Sequence, residues 1–535
     1  MKNIQLKHTL LLSGSTGLLL SLAWPTSPLF PLLFVAWVPL LWVKNRYLDA
    51  QKSAFSFGLV SLLPMFLWNL LCTWWVWNAS KEGAIAMIIA NSLLMSIILG
   101  MGYFIEKKLN KIRHIAWIST WISFELLHHN WDLAYPWLTL GNGLAMAPAL
   151  VQWYEYTGIL GGSAWILITN AILSDLLLRP TVPKRNFFIA LFTPVVLSLF
   201  LLFVNKNNQS ASLPKNILIY QPNIDPYNEK FAKDPYVLTS ELIADIEADV
   251  DSSIAFIILP ETAIPGSFEI ANPQKEAKIQ LMHAFSEKHK NTAIIMGLET
   301  HHFYPIEENC KKPTLTARKY ATDDCLYYDV FNTSGLFSGG ALQYYYHKSK
   351  LVPGVEKMPF PQYLGFLESK SIDLGGSSGS LGSSPESILF YHPDSCATTG
   401  LICYESIFGE FTAKYAAKGA NFLTVITNDG WWGNTPGYKQ HLHYGALRCI
   451  ETRKYMARSA NTGISALIDD NGFILKRTKW WQKEVIKGQI IPNKKTTFYM
   501  KHGDLIGQIA RFVSIFLFLG ALVSQLQRQR IKPKN

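Results

Sequence analysis

The hydrophobic pattern divides the chain into two apolar ends and an ordinary middle. Long apolar runs fall at about 8–24, 29–43, 53–77, 84–105, 114–129, 155–178 and 186–204, with one more at 506–526. Most approach the roughly 20 residues that an α-helix needs to cross a ~30 Å hydrocarbon layer. The pattern predicts a helical bundle of eight membrane spans, seven before the middle segment and one after it. Residues 29–43 are short for a crossing, and 155–178 carries Gly158, Gly161 and Gly162. A cleaved leader is the rival reading of 8–24. The second apolar run follows almost at once, which favours a multi-pass protein.

From residue 215 the periodicity changes. Short β-rich runs at 216–221, 254–260, 292–298, 342–347, 398–403, 422–427 and 463–468 alternate with amphipathic helical patterns near 236–249, 275–289, 407–418 and 437–457. Uninterrupted apolar stretches such as Phe256-Ile257-Ile258-Leu259 suit strands covered on both faces. The middle segment therefore reads as layered α/β. The expected organisation is a membrane domain at 1–204, a catalytic domain at 205–505, and a last span with a basic tail at 506–535.

Composition agrees with a split chain. Apolar residues make up 49% and charged residues 16%, with 17 tryptophans; soluble proteins carry about 25% charged residues. The net charge of +11 raises nucleic-acid binding, but the basic residues sit in short loops between apolar runs, and no nucleic-acid-reading motif accompanies them. They mark topology instead. Lys2 and Lys7 precede the first run, and Lys44, Arg46 and Lys52 follow the second. Lys107, Lys108, Lys111 and Arg113 follow the fourth, Arg179, Lys184 and Arg185 the sixth, and Arg528, Arg530, Lys532 and Lys534 the last. Of the alternate loops, 25–28 and 130–154 carry no such charge and 78–83 only Lys81. Both termini are expected in the cytoplasm and residues 205–505 outside it.

Six cysteines are present, with no C-x-x-C pair that would suggest structural zinc. Cys310 and Cys325 lie in one polar insertion, where an oxidising compartment allows a disulfide and two free thiols remain the alternative. Polar residues stand at several strand ends, where α/β proteins build their sites. Cys403 follows Thr399-Gly400-Leu401-Ile402, at a strand exit where a helix N-terminus favours thiolate; an inert buried cysteine is the plainer reading. Glu261, in Leu259-Pro260-Glu261-Thr262-Ala263, ends a very apolar strand. Desolvation there raises a carboxyl toward the range of a general base, while a capping or salt-bridged glutamate is the alternative. Lys348 closes the aromatic strand Tyr344-Tyr345-Tyr346-His347 and could stabilise an oxyanion or simply be solvated, with Lys350 as a competitor.

Taken together, Glu261, Lys348 and Cys403 in this order resemble the nitrilase (carbon-nitrogen hydrolase) superfamily, and the resemblance narrows to the apolipoprotein N-acyltransferases over nearly the whole chain. The matching pieces are Tyr135-Pro136-Trp137-Leu138, Gln152, Gln221-Pro222-Asn223-Ile224, Pro260-Glu261-Thr262-Ala263 and Tyr346-His347-Lys348-Ser349-Lys350-Leu351-Val352-Pro353. Further along come Ile402-Cys403-Tyr404-Glu405, Asn428-Asp429-Gly430-Trp431-Trp432-Gly433 and Gln440-His441. The resemblance implies an αββα sandwich on a membrane bundle of about eight spans. Glu261 would be the general base, Cys403 the nucleophile, and Lys348 an oxyanion partner. Glu356, Tyr404 and Glu405 would support the site, the Tyr404 backbone N–H as a second oxyanion donor. Trp431 and Trp432 match an aromatic loop near the acyl chain. Where the family carries an early-loop tryptophan this chain has Tyr227 and Phe231, and Phe231 is taken as the substrate-binding candidate.

The implied reaction is a ping-pong acyl transfer. A membrane phospholipid acylates Cys403, and the acyl group passes to the N-terminal amine of a diacylglyceryl-cysteine apolipoprotein. No cofactor, metal or nucleic acid is implied. The expected setting is a bacterial inner membrane, with the catalytic domain periplasmic and the chain a monomer. The rivals are a tethered nitrilase-type amidohydrolase or thioesterase, a transporter with an accessory domain, and an inactive scaffold. The loop around Trp431 and residues 354–386 are candidate lids for lipid entry.

Overall fold

A computed structural model of the chain describes residues 5–109, 112–179, 181–207, 212–306, 310–364 and 380–530. It divides into two compact units, Met1–Asn207 with His502–Asn535, and Asn208–Lys501.

The first unit is helical. Each of the eight apolar runs forms helix, but five helices are long and apolar enough to cross a membrane: Ala54–Thr73, Lys81–Leu109, Tyr154–Leu178, Lys184–Asn207 and Leu505–Arg528. The expectation of eight spans is corrected by length and polarity. The 29–43 run becomes a 3-10 turn, Phe30–Phe34, and a 12-residue helix, Val38–Asp49, which at 1.5 Å per residue is only about 18 Å long. Arg113–His128 has 16 residues, and Leu6–Ala23 has 18 with Lys7 and His8 in its first turn. Lys44, read above as a loop charge, lies inside Val38–Asp49, buried in a 2.6 Å pair with Glu106. Of the other topology-marking charges, Lys2, Lys111, Lys532 and Lys534 lie outside the described residues.

The abundant tryptophans find their use in this unit. Trp37 packs edge-on against Trp68, Trp117 and Trp121, with ring centroids 4.8 to 6.4 Å apart. Glu125 is buried and accepts from Trp121 Nε1 and Leu140 N–H, which ties the Arg113–His128 helix to the segment after Trp137. In contrast, Lys184–Asn207 buries only Ser198 along its length. Phe188, Phe192, Phe200 and Phe203 face outward, as suits a helix surrounded by lipid.

The second unit holds two main sheets. One is eight-stranded among the described residues. Lys215–Gln221, Ile254–Ile258 and Ala293–Phe303 run parallel at its centre, flanked by antiparallel Glu484–Ile490 on one side and Asp323–Ser338 on the other. The other sheet is five-stranded, with Leu401–Ile402, Leu423–Thr427 and Met456–Ala460 parallel and Ala466–Ile468 and Ile474–Arg477 antiparallel.

Strand alternation shows the layering. Ile217 and Ile219 enter one core cluster with Val425, Ala457 and Leu467 of the opposite sheet. Their neighbours Leu218 and Tyr220 enter another, with Leu242 and Ile246 of Pro235–Glu247 and Met282 of Ala277–Lys288. Every inner strand is thus covered on both faces, by a sheet on one side and helices on the other. On the five-stranded sheet, Gly409–Ala417 and Pro436–Thr452 supply that outer layer. The unit is an αββα sandwich.

Several elements depart from the sequence reading, among them Ile474–Arg477 and Glu484–Ile490, which it does not name as strands. The expected 398–403 strand is split into Ala397–Thr398 and Leu401–Ile402. The helix expected at 437–457 stops at Thr452, because Arg453 takes a left-handed φ of 52°, and a new strand begins at Met456. The 16-residue strand Asp323–Ser338 begins in the polar insertion around Cys325 and is not among the expected strands. Cys310 and Cys325 there form a disulfide.

Candidate active site

Three strand exits, two from the larger sheet and one from the smaller, bring the candidate residues together. Glu261 lies in the turn after Ile254–Ile258. The turn is stitched to Ala293–Phe303 by Leu259 N–H to Ile295 O, Gly297 N–H to Pro260 O and Ala263 N–H to Gly297 O. Gly297 is required there, because a Cβ would stand 2.3 Å from Thr262 N and 2.6 Å from Glu261 Cα. Lys348 ends Ala341–His347, its N–H bonded to Asn332 O at 2.9 Å. Cys403 follows Leu401–Ile402 and opens the 3-10 turn Cys403–Ile407. Its φ of 49° is a left-handed conformation that costs a non-glycine residue about 1–3 kcal/mol and persists only where its surroundings enforce it.

The charged groups form a chain around the buried Lys348. Lys348 Nζ lies 2.8 Å from Glu356 Oε1 and 3.5 Å from Glu261 Oε1, with the lysine only 1% exposed. Asn332 Nδ2 donates to Glu261 Oε1 at 2.7 Å and to Glu356 Oε1 at 3.3 Å. Glu356 Oε2 accepts from Val352 N–H. Burial alone would lower the Lys348 ammonium, but Glu356, Glu261 and the Cys403 sulfur outweigh it and hold the group protonated. Burial pushes the Cys403 thiol up, as does Glu261, while Lys348 opposes them. A thiol so placed needs a base to reach thiolate. Lys350 is drawn elsewhere, with Nζ over the Phe408 and Phe411 rings.

Glu405 is fully buried and braces two of the strand exits. Oε1 accepts from Tyr346 Oη and from the N–H groups of Ser349 and Lys350, and Oε2 accepts from Ile402 N–H. The strand ends that carry Lys348 and Cys403 are thereby held by one carboxylate. Burial raises its pKa, against the pull of these donors.

Of the aromatic candidates, Trp431 accepts a hydrogen bond from Tyr227 Oη on its carbonyl at 2.9 Å and meets the Tyr227 ring edge-on. Trp432 turns toward His441, 5.5 Å between ring centroids. Phe231 is exposed. Of the candidate lid at 354–386, residues 365–379 lie outside the described residues.

Cys403, Asp429 and His441 carry potential ligand atoms within 4.8 Å of one another. They have the composition of a metal site, or of a cysteine-histidine-aspartate triad. The partners argue against both. His441 Nδ1 is engaged with Asp429 and Nε2 with the Cys403 carbonyl oxygen, while Arg458 is paired to Asp429. A cation would meet that guanidinium, and the imidazole spends its second nitrogen on backbone and Ser406.

The comparisons with known proteins fall on the same two halves. Residues 16–172 match the apolipoprotein N-acyltransferase N-terminal domain, and residues 219–496 match carbon-nitrogen hydrolase. An apolipoprotein N-acyltransferase from Chlorobaculum tepidum is 31% identical over 95% of this chain and 95% of its own. The chain belongs to the apolipoprotein N-acyltransferase family. A Geobacter metallireducens member is 24% identical over 92% of each chain. Among solved structures, an amidase from Nesterenkonia sp. aligns at 13% identity and a TM-score of 0.36, over 55% of this chain and 95% of its own.

Sequence reasoning within the family passed over three residues of this constellation. Asn332 lies in a strand that the sequence reading does not name, and Tyr346 enters it only as part of the aromatic strand and of the matching piece before Lys348, with no role of its own. Lys230, in the loop after Gln221, is buried with Nζ 3.0 Å from the Glu261 carbonyl oxygen. Its place one residue before Phe231 was the only available signal.

Proposed function

We propose that the enzyme moves an acyl chain from a membrane phospholipid to the α-amine of a diacylglyceryl-cysteine at an apolipoprotein N-terminus, through a thioester on Cys403. The observation that carries this reading is that Glu261 and Lys348, bonded to each other, both act electrostatically on the buried Cys403 thiol, in a chain that also carries helices long and apolar enough to span a membrane. Residues 205–505 are assigned the chemistry, between membrane segments 1–204 and 506–535. The loop-charge asymmetry supports a catalytic domain outside the cytoplasm and termini within it.

In the first half-reaction Glu261 takes the Sγ proton and the sulfur attacks the ester carbonyl. The tetrahedral oxyanion is met by the Lys348 ammonium and the Tyr404 N–H. Collapse breaks the acyl–oxygen bond, and the departing glyceryl oxygen takes the proton back from Glu261, leaving thioester and lysophospholipid. In the second half-reaction Glu261 accepts a proton from the attacking amine. The amide forms, the carbon–sulfur bond breaks, and Cys403 is reprotonated. Glu356 keeps Lys348 in place, and Glu405 fixes the two strand ends against each other. Trp431, Trp432 and Phe231 are assigned to the lipid chains.

Both substrates are held in the bilayer by acyl chains worth about 0.8 kcal/mol per buried CH₂, so a membrane-anchored enzyme meets them where they reside. Product analysis with phospholipid and a diacylated lipopeptide tests the reading. N-acyl lipopeptide formed in step with lysophospholipid is expected; release of free fatty acid in its place would show a hydrolase.

A further inference from the structure

Behind the nucleophile lies a group of buried polar side chains with no part in the acyl-transfer scheme. Arg458, Asp429 and His441 are fully buried. Arg458 Nη2 donates to Asp429 Oδ2 at 2.6 Å, and Thr427 Oγ1 donates to Oδ1 at 2.8 Å. His441 Nδ1 lies 2.9 Å from that same Oδ1 and 3.1 Å from Arg458 Nη2, which donates to it and leaves the ring proton on Nε2. Burial by itself would raise Asp429, but Arg458 and His441 hold it down at about 2, a fixed anion. At the opposite edge of the imidazole, Nε2 stands 3.1 Å from the carbonyl oxygen of Cys403 and 2.9 Å from Ser406 Oγ. The Ser406 hydroxyl donates to the same carbonyl at 2.8 Å.

Two side chains therefore converge on one backbone oxygen. A trans peptide is planar, with its C=O and N–H pointing in opposite directions. Holding the Cys403 carbonyl on the inner side fixes the Tyr404 N–H on the outer side of the same plane. It also locks the dihedral that follows the left-handed φ at Cys403. Strands placed this brace: Asp429 follows Leu423–Thr427, and Arg458 sits in the next strand, where Thr427 pairs with Ala460 and Val425 with Arg458. His441 comes from Pro436–Thr452.

The geometry points to Arg458, Asp429 and His441 as a positioning brace that orients the Cys403–Tyr404 peptide, so that its N–H faces the oxyanion of the reacting ester. This rests on the reading of Cys403 as nucleophile and Tyr404 N–H as oxyanion donor. His441 acts through the peptide and takes no proton from the thiol.

The test uses the full-length enzyme in phospholipid micelles and follows Cys403 acylation by intact mass. His441→Ala is expected to lower kcat on the order of 100-fold, the scale of a lost oxyanion donor, with KM unchanged. His441→Gln, whose amide N–H can stand where Nε2 stands, is expected to recover at least tenfold of that loss. Ser406→Ala removes the other side chain on that carbonyl and gives a smaller loss of the same kind, so the test survives a poorly folding His441→Ala. Alkylation of Cys403 by iodoacetamide, which develops no carbonyl oxyanion, should stay within threefold of wild type in all three variants.

Alkylation that falls in parallel with acylation would overturn the brace, since His441 would then act on the sulfur. Unchanged kcat in both His441→Ala and Ser406→Ala would overturn it as well. Cys403→Ala separates the two levels: transfer surviving in that variant defeats the nucleophile assignment itself, whatever the His441 variants do.

Discussion

Lys348 is held more closely by Glu356 than by Glu261, at 2.8 Å against 3.5 Å, although both contacts go to an Oε1 oxygen. The arrangement gives the ammonium a close partner in Glu356 and leaves Glu261 for the role of base proposed for it. Glu356→Gln removes that partner's charge, and Lys348 then draws on Glu261 alone. The expected result is a kcat for acyl transfer lower by about 10- to 100-fold with KM little changed, since the group acts on a charge that develops in the transition state. Steady-state kinetics against phospholipid concentration checks it, and a change confined to KM would contradict this use of Glu356.

Gly297 supplies a second test. A methyl group there would press into the backbone of Glu261 and Thr262, where no flexible side chain can yield. Gly297→Ala should cost about 1–3 kcal/mol of stability, the range of overpacked cores. Acyl transfer should fall further than stability does, because the displaced residue is the proposed base. Thermal unfolding and activity measured on the same preparation separate the two effects.

The buried Lys230 gives a pH dependence. Burial lowers its pKa from 10.5 to about 8, with Glu261 and Glu299 opposing the shift. Below about pH 8 the amine is charged in both folded and unfolded states, and the full cost of burying it is felt. Between about 8 and 10.5 the folded amine is neutral while the unfolded one binds a proton, so stability from this group rises with pH. Relative to Lys230→Met, wild type should therefore gain thermal stability across that window. A difference between the two melting temperatures that is flat from pH 8 to 10 would rule this out.

How far the sequence could be read depended on what each segment buries. Ile254–Ile258 and Leu423–Thr427 are covered on both faces and appear as plain apolar runs, so the turns carrying Glu261 and Asn428 were legible at their ends. Met456–Ala460 is equally buried, yet it reads Met-Ala-Arg-Ser-Ala. Arg458 and Ser459 are inside because they bond Asp429 and the Tyr220 carbonyl, and no hydrophobic count registers that. The preceding helix ran on too far for a related reason. Its left-handed stop is Arg453, held by Asn471, where a glycine would have been the visible signal. Asp323–Ser338 was obscured by Asp329, Asn332, Thr333 and Ser334, the last three lying where the sheet approaches the site. In the membrane unit, runs of apolar residues were correctly seen as helices, but a run's apolarity does not fix how much of it one helix uses. Phe30–Phe34 and Val38–Asp49 share a single run between them.

In the proposed reaction Cys403 carries the acyl group between two substrates. The most direct measurement incubates the full-length protein with phospholipid alone and determines its intact mass, followed by peptide mapping. One acyl adduct is expected on Cys403, absent in Cys403→Ala and discharged when a diacylated lipopeptide is added, with the acyl chain recovered on the lipopeptide amine. An enzyme that forms N-acyl lipopeptide while Cys403 never bears an acyl group, or whose adduct persists unchanged in the presence of lipopeptide, would contradict that role of Cys403.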